Sequence, residues 1–229
     1  MPREDIEIIG GNEVKEDLKP GELDELVDIW FQEMDKPVDA PISETRQLVG
    51  GVLEENSAES ELAEDQRKKE RRAHLMEDLH GALNRGDMTI ARKNDKVVGM
   101  VRVMEITWAA QDDLIVGKVF EIGKALTIPE VQGQGIYKIV REQAIANLRE
   151  KYGDVSILAA TQNDAIKKLH RKDGWKEIGF ERYLRIHGAP DEYIKSRKDK
   201  DSEDGWTAFL YIGELHNMVR MVPWDGKPE

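Results

Sequence analysis

The sequence contains no cysteine, which excludes a disulfide scaffold, a thiolate metal site and a cysteine nucleophile, and leaves the redox compartment open. It has no apolar run approaching the length of a membrane span. It opens on the charged residues Met1-Pro2-Arg3-Glu4-Asp5 rather than on a signal peptide, so a cytoplasmic chain with no membrane partner is expected. Positive charge is in deficit: 34 Lys and Arg stand against 46 Asp and Glu, a formal net charge of −12. A surface of that sign repels phosphate backbones, so a general nucleic-acid partner is not expected. The histidines show no ligand spacing and no His-x-x-Glu-His pattern, so no metal is expected either. Internal repeats and Pro-, Gly- or Ser-rich linkers are absent as well. With 39% hydrophobic residues, the 229 positions are expected to form one domain, with a charged helical insertion at about 54–72 and a tail at about 213–229.

What the chain does contain is an alternation of periodicities. Ile6-Glu7-Ile8-Ile9 reads as a strand closed by Gly10-Gly11. After Pro20-Gly21, apolar residues recur at Leu23, Leu26, Val27, Trp30, Phe31 and Met34, the stripe of an amphipathic helix. A second helix follows in two pieces. The first carries Leu48, Val49 and Val52; the second starts at about Ser57 and holds Leu62, Ala73, Met76, Leu79 and Leu83. The charge run Glu64–Arg72 within it reads as a solvated face laced with near-neighbour ion pairs, with a lid or partner-binding arm as the sharper reading. Strands are predicted at Met88–Arg92 and Val97–Met104, joined through Asn94-Asp95, and at Val119–Ile128, stopped by Pro129. Helical spacing returns from Ile136 to Leu148, a buried strand at Val155–Ala160, and a helix from Asn163 to about Asp173, ended by Gly174. Two last strands are predicted at Trp175–Ile186 and Trp206–Ile212.

Between the long strand and its following helix stands Gln132-Gly133-Gln134-Gly135-Ile136-Tyr137-Lys138. A glycine turn there lets backbone approach a phosphate, and the first amides of the helix point at it. The third glycine of a dinucleotide fingerprint is missing, as is the Gly-Lys-Ser/Thr of a P-loop. A lone Gly-x-Gly turn is as readily a plain tight turn as a ligand site. With its neighbours, however, Leu126-Thr127-Ile128-Pro129-Glu130-Val131-Gln132-Gly133-Gln134-Gly135-Ile136 resembles the acetyl-CoA signature Q/R-x-x-G-x-G/A of the GNAT N-acetyltransferases. Tyr137 stands where that signature has a small residue. Asn163, His170 and Gly174-Trp175 follow at the spacing of a second motif of the family, and the order of elements agrees over most of the chain.

The resemblance implies a GNAT-like α/β (α+β) fold: a mixed, mostly antiparallel sheet of about seven strands, splayed between the fourth and fifth and flanked by helices. It implies acetyl-CoA as co-substrate. Pantetheine would bond backbone groups near Leu126, Thr127 and Ile128, with Asn163 touching it as well as capping its helix. The amides of Gln134, Gly135, Ile136, Tyr137 and Lys138, following Gln132 and Gly133, would hold the pyrophosphate. Lys138 and Arg141 are candidates to add charge there.

The implied reaction is direct attack of an amine on the thioester. An alkylammonium must first lose a proton, so a base and a donor to the leaving thiolate are needed. Glu121, inside Val119-Phe120-Glu121-Ile122 and eleven positions before Gln132, is the candidate base. The alternatives for it are a solvent-facing position or a bond to an arginine. His170 stands where the family often has a tyrosine that protonates the thiolate; the plainer reading is a helix-surface histidine beside Arg171 and Lys172. Trp30, Phe31, Trp206 and Tyr211 read as core or pocket-wall aromatics, and Trp108 as a wall of the acceptor site. The acceptor expected is a small-molecule or peptide amine, and the acidic balance leans towards a cationic one such as a polyamine, an aminoglycoside or a lysine side chain. Room is left for a homodimer. Two other classes stay open: a CoA-binding regulatory or interaction module without catalysis, and a structural helper that binds a partner through its charged helix.

Overall fold

The structure, a computed structural model, describes residues 6–34, 57–107, 112–196 and 205–212. The predicted helical piece around Leu48, Val49 and Val52, the acceptor wall Trp108 and the tail from 213 lie outside the described residues. In chain order the elements are β1 (Ile6–Gly10), α1 (Glu13–Asp17), α2 (Glu22–Met34), α3 (Ser57–Arg85), β2 (Met88–Lys93), β3 (Lys96–Glu105), β4 (Lys118–Thr127), α4 (Ile136–Tyr152), β5 (Val155–Thr161), α5 (Asp164–Lys172), β6 (Lys176–Ile178), α6 (Phe180–Ile186) and β7 (Thr207–Tyr211). The seven strands form one sheet in the order β1-β2-β3-β4-β5-β7-β6. β1 pairs antiparallel with β2, and β7 with β5 and β6, whereas β4 and β5 run parallel. Two elements differ from expectation. The stretch Trp175–Ile186 is not one strand: only Lys176–Ile178 pairs with β7, and Gly179 then turns the chain into α6. Its apolar residues Phe180, Tyr183 and Ile186 recur every three positions, a helical period that a strand cannot bury on one face. The short α1 was also not expected.

The chain divides into two compact units, residues 1–100 with 126–136, and residues 101–125 with 137–229. In the first, α2 buries Leu23, Leu26 and Val27 together with Leu75, Leu79 and Ala82 of α3, against Ile9, Met88, Ile90 and Met100. These are the three-and-four-spaced positions of each helix, so the apolar stripe of the sequence is the packed face. The charge run on α3 pairs both within its helix and beyond it: Gln66 donates to Glu70 at 2.9 Å, while Arg72 reaches Asp28 at 2.8 Å and Asp24 at 3.3 Å on α2. Asn94 and Asp95, with φ of 50° and 62°, make the tight left-handed turn that joins β2 to β3. Buried Arg92 clips that hairpin to the helices, donating to Asp17 at 2.7 Å and to both oxygens of Glu22 at 2.9 Å. No helix among the described residues is long and apolar enough to cross a membrane.

In the second unit the faces of the sheet are set by strand alternation. Val119, Leu158, Ala208 and Leu210 join Ile106, Ile178 and Ile186 in one cluster on the α6 side. Phe120 instead meets Tyr152 of α4, with ring centroids 5.1 Å apart, and Phe209 stacks on His170 of α5 at 5.0 Å. The second unit is thus covered by α6 on one face and by α4 and α5 on the other.

Candidate active site

The glycine turn belongs to the first unit. Pro129–Val131 forms a single 3-10 turn after β4, and Gly133 and Gly135 take φ of 77° and 82°, a left-handed conformation that side chains resist. A Cβ at Gly133 would meet nothing within 4 Å among the described residues, so none of them crowds the backbone there. Of the expected amides, that of Gln134 is engaged by the Val131 carbonyl at 3.3 Å. Those of Gly135, Ile136, Tyr137 and Lys138 fall at the start of α4, where a helix has no internal acceptor for its N–H groups, and they carry the positive end of its dipole. The helix start is seated by a residue that the motif does not include. A Cβ on Gly99 of β3 would lie 2.6 Å from Cγ2 of Ile136, so only glycine lets α4 begin this close to the strand.

Leu126 and Ile128 are buried, and the Ile128 amide donates to the Val98 carbonyl of β3 at 3.0 Å. Thr127 has its carbonyl bonded by Nε2 of Gln132 at 3.2 Å. The first glutamine of the motif therefore ties the turn back onto the end of β4.

In the second unit, β4 pairs with β5 from Lys118–Val155 to Glu121–Leu158, and β4 then runs on to Thr127. That is the splay. Lys124 just beyond the ladder takes a left-handed φ of 49°, and at Gly123 a Cβ would touch nothing among the described residues. Glu121 is the last residue of the paired ladder. It is not solvent-facing and does not bond an arginine among the described residues. The Tyr183 hydroxyl donates to its Oε1 at 2.6 Å, and Nε2 of His187 lies 3.7 Å from its Oε2. Burial, with the Glu121 charge beside it, pushes the Tyr183 phenol well above its ordinary range. Burial holds His187 below the usual histidine value, against the pull of Glu121. α6 is fixed by Arg182, which donates to both oxygens of Asp112, at 2.7 and 2.6 Å, and pairs with Asp113. That guanidinium keeps the Asp112 carboxyl below the usual range.

His170 is placed otherwise than expected. It is fully buried, on the α5 face, and so across the sheet from Glu121 on the α6 face. Nη1 of Arg141 lies 3.2 Å from its Nδ1. A guanidinium only donates, so Nδ1 is the acceptor and Nε2 carries the proton, facing the Tyr137 hydroxyl at 3.3 Å. Burial, reinforced by the Arg141 charge, lowers its pKa to about 4. A neutral imidazole locked this way is neither a surface histidine nor a proton donor to a thiolate at neutral pH. It holds α5 to α4.

The other motif positions follow from this lock. The Tyr137 ring turns inward to His170, centroids 6.1 Å apart, and burial pushes its phenol up to about 12. The ring therefore does not fill the space over the helix start. Arg141, also buried, pairs with Asp173; burial would raise that carboxyl, but Arg141 and Lys138 hold it low. Lys138 is shared between Asp173 at 3.4 Å and Glu142 at 3.5 Å. Asn163 caps α5, its Oδ1 accepting from the amides of Ala165 at 2.9 Å and Ile166 at 3.2 Å.

A family model described as an acetyltransferase (GNAT) domain matches residues 45–177, more than half of the chain. The chain belongs to the GNAT acetyltransferase family. Among solved structures, a protein of Pyrococcus horikoshii OT3 aligns over 92% of this chain and 99% of its own, with TM-score 0.52 and 16% identity. An acetyltransferase of Streptococcus agalactiae aligns over 91% and 98%, with TM-score 0.51 and 17% identity. The N-acetylglutamate synthase of Neisseria gonorrhoeae, complexed with coenzyme A and N-acetyl-glutamate, aligns over 90% of this chain and 35% of its own, with TM-score 0.50 and 11% identity. Identities this low speak for the fold alone. No curated protein matches the chain.

The matched GNAT stretch contains Glu121, the glycine turn, Asn163 and His170 but ends before α6. Tyr183, which bonds the candidate base, and His187, which follows its helix, were missed in the sequence because that helix was read as a strand. Gly99 left a signal that went unused, a glycine inside the apolar run Val97-Val98-Gly99-Met100-Val101, which marks a close backbone approach.

Proposed function

We propose that this GNAT protein transfers an acetyl group from acetyl-CoA to a primary amine by direct attack. The observation that carries the reading is the set of unspent amides at the start of α4. They fit a diphosphate in charge and in the glycine backbone that leads into them. In this reading the amides from Gly135 to Lys138 hold the pyrophosphate, and the edge of β4 at Leu126, Thr127 and Ile128 guides the pantetheine. When bound, acetyl-CoA supplies the activated acyl group. Glu121 takes a proton from the acceptor ammonium, leaving a neutral nitrogen with a free electron pair. That nitrogen forms its bond to the acetyl carbon as the carbon–sulfur bond breaks, and the proton it sheds goes to the departing sulfur. Asn163 caps its helix and orients the coenzyme. His170 keeps α5 and α4 in register and does not deliver the proton. The net charge of −12 favours a cationic acceptor such as a polyamine, an aminoglycoside or a lysine side chain.

Two measurements test this. Acetyl-CoA at 100 times its dissociation constant should stabilise the fold by ~2.7 kcal/mol; no thermal shift would remove the coenzyme and the reaction with it. Thiol release should then appear with at least one cationic amine and fall in Glu121→Gln. Undiminished release in that variant would take Glu121 out of the mechanism.

A further inference from the structure

We infer that Tyr183 is a positioning residue for the Glu121 carboxylate: by occupying Oε1 it leaves Oε2 as the oxygen that meets the acceptor amine. This rests on the acetyl-transfer reading above. A glutamate on a strand can swing through several rotamers and present either oxygen, and each unproductive pose lowers the rate. Here one oxygen is taken by a hydroxyl at 2.6 Å, the length of a charge-assisted bond. The donor is itself immobile. Its ring stacks on Phe180 with centroids 5.2 Å apart, meets His187 at 4.4 Å and packs on the apolar cluster of Ile106, Val119 and Leu158. Arg182, the preceding residue on α6, grips Asp112 with two hydrogen bonds. Because burial and the neighbouring carboxylate raise the Tyr183 phenol, the group stays protonated and serves as donor. The second oxygen lies 3.7 Å from Nε2 of His187, beyond hydrogen-bond length, so among the described residues that neighbour leaves its lone pairs available. The amine proton passes to Oε2, giving a carboxylic acid and a neutral amine.

A double-mutant cycle separates positioning from mere support. Tyr183→Phe should lower kcat for thiol release about tenfold with the KM for acetyl-CoA unchanged, as expected for one lost hydrogen bond to a charged group. In the Glu121→Gln background the same substitution should cause no further loss. An equal loss in both backgrounds, or none in the first, would overturn the inference. A second readout needs no turnover. The phenol absorbance of Tyr183, taken as the difference from Tyr183→Phe, should titrate at lower pH in Glu121→Gln than in the parent. An unmoved titration would remove the contact whatever the kinetics say. A parent protein that releases no thiol with any amine would instead strike at acetyl transfer, while the titration still decides the contact.

Discussion

The buried imidazole of His170 makes a quantitative prediction about stability and pH. In the unfolded chain a histidine takes up its proton as pH falls through about 6.5. In the folded protein His170 does so only near a pKa of about 4, because Nδ1 already accepts from Arg141 and a second proton would point at that cation from an unsolvated site. Between these values the unfolded state binds more protons, so stability rises with pH; it is lost as pH falls through the window and levels off below it. At about 1.4 kcal/mol per unit, the shift corresponds to a loss of about 3 kcal/mol across the window. His187, also depressed, adds in the same direction, and the carboxylates add their own slopes. The assay is therefore a comparison: urea unfolding of the parent and of His170→Gln at half-unit steps from pH 4 to 8, followed by tryptophan fluorescence. Trp175 lies 4.3 Å from the imidazole and reports on its surroundings. The variant should be less stable at pH 8, from lost packing and hydrogen bonds, yet its curve should fall less steeply below pH 6.5. Parallel curves would refute the protonation argument. So would a His170 ring resonance that titrates near 6.5 by NMR.

Gly99→Ala should destabilise the protein by about 1–3 kcal/mol in denaturant unfolding, because its methyl would meet Ile136 at 2.6 Å in a packed strand; because Ile136 opens α4, it should also weaken the acetyl-CoA thermal shift. Asn163→Ala should cost about 1 kcal/mol through loss of the α5 cap, measured the same way. Arg92→Met leaves Asp17 and Glu22 without the guanidinium they share and should destabilise by about 3 kcal/mol at neutral pH. The loss should shrink in acid as Glu22, which Arg92 holds below the usual carboxylate range, takes up its proton in the parent as well.

The sequence alone determined the elements with unambiguous periods and the punctuation around them. The α2 stripe, the β2–β3 turn at Asn94-Asp95, the Asn163 cap and the glycine turn before α4 are local features, each written within a few residues, and the structure carries them where the pattern put them. Local pattern also named Glu121 as a charge inside an apolar strand. Tertiary structure alone decided which face of the sheet each side chain takes. A one-residue change of phase moves a strand side chain across the sheet, and that put Glu121 towards α6, while α5 carries His170 against Phe209 on the opposite face. It also chose helix over strand after Gly179, because Phe180, Tyr183 and Ile186 gain burial against Ile106, Val119 and Leu158 only when wound. The partners that give both groups their chemistry, Tyr183 for Glu121 and Arg141 for His170, lie 62 and 29 positions away in the chain. No local period encodes a contact at that separation.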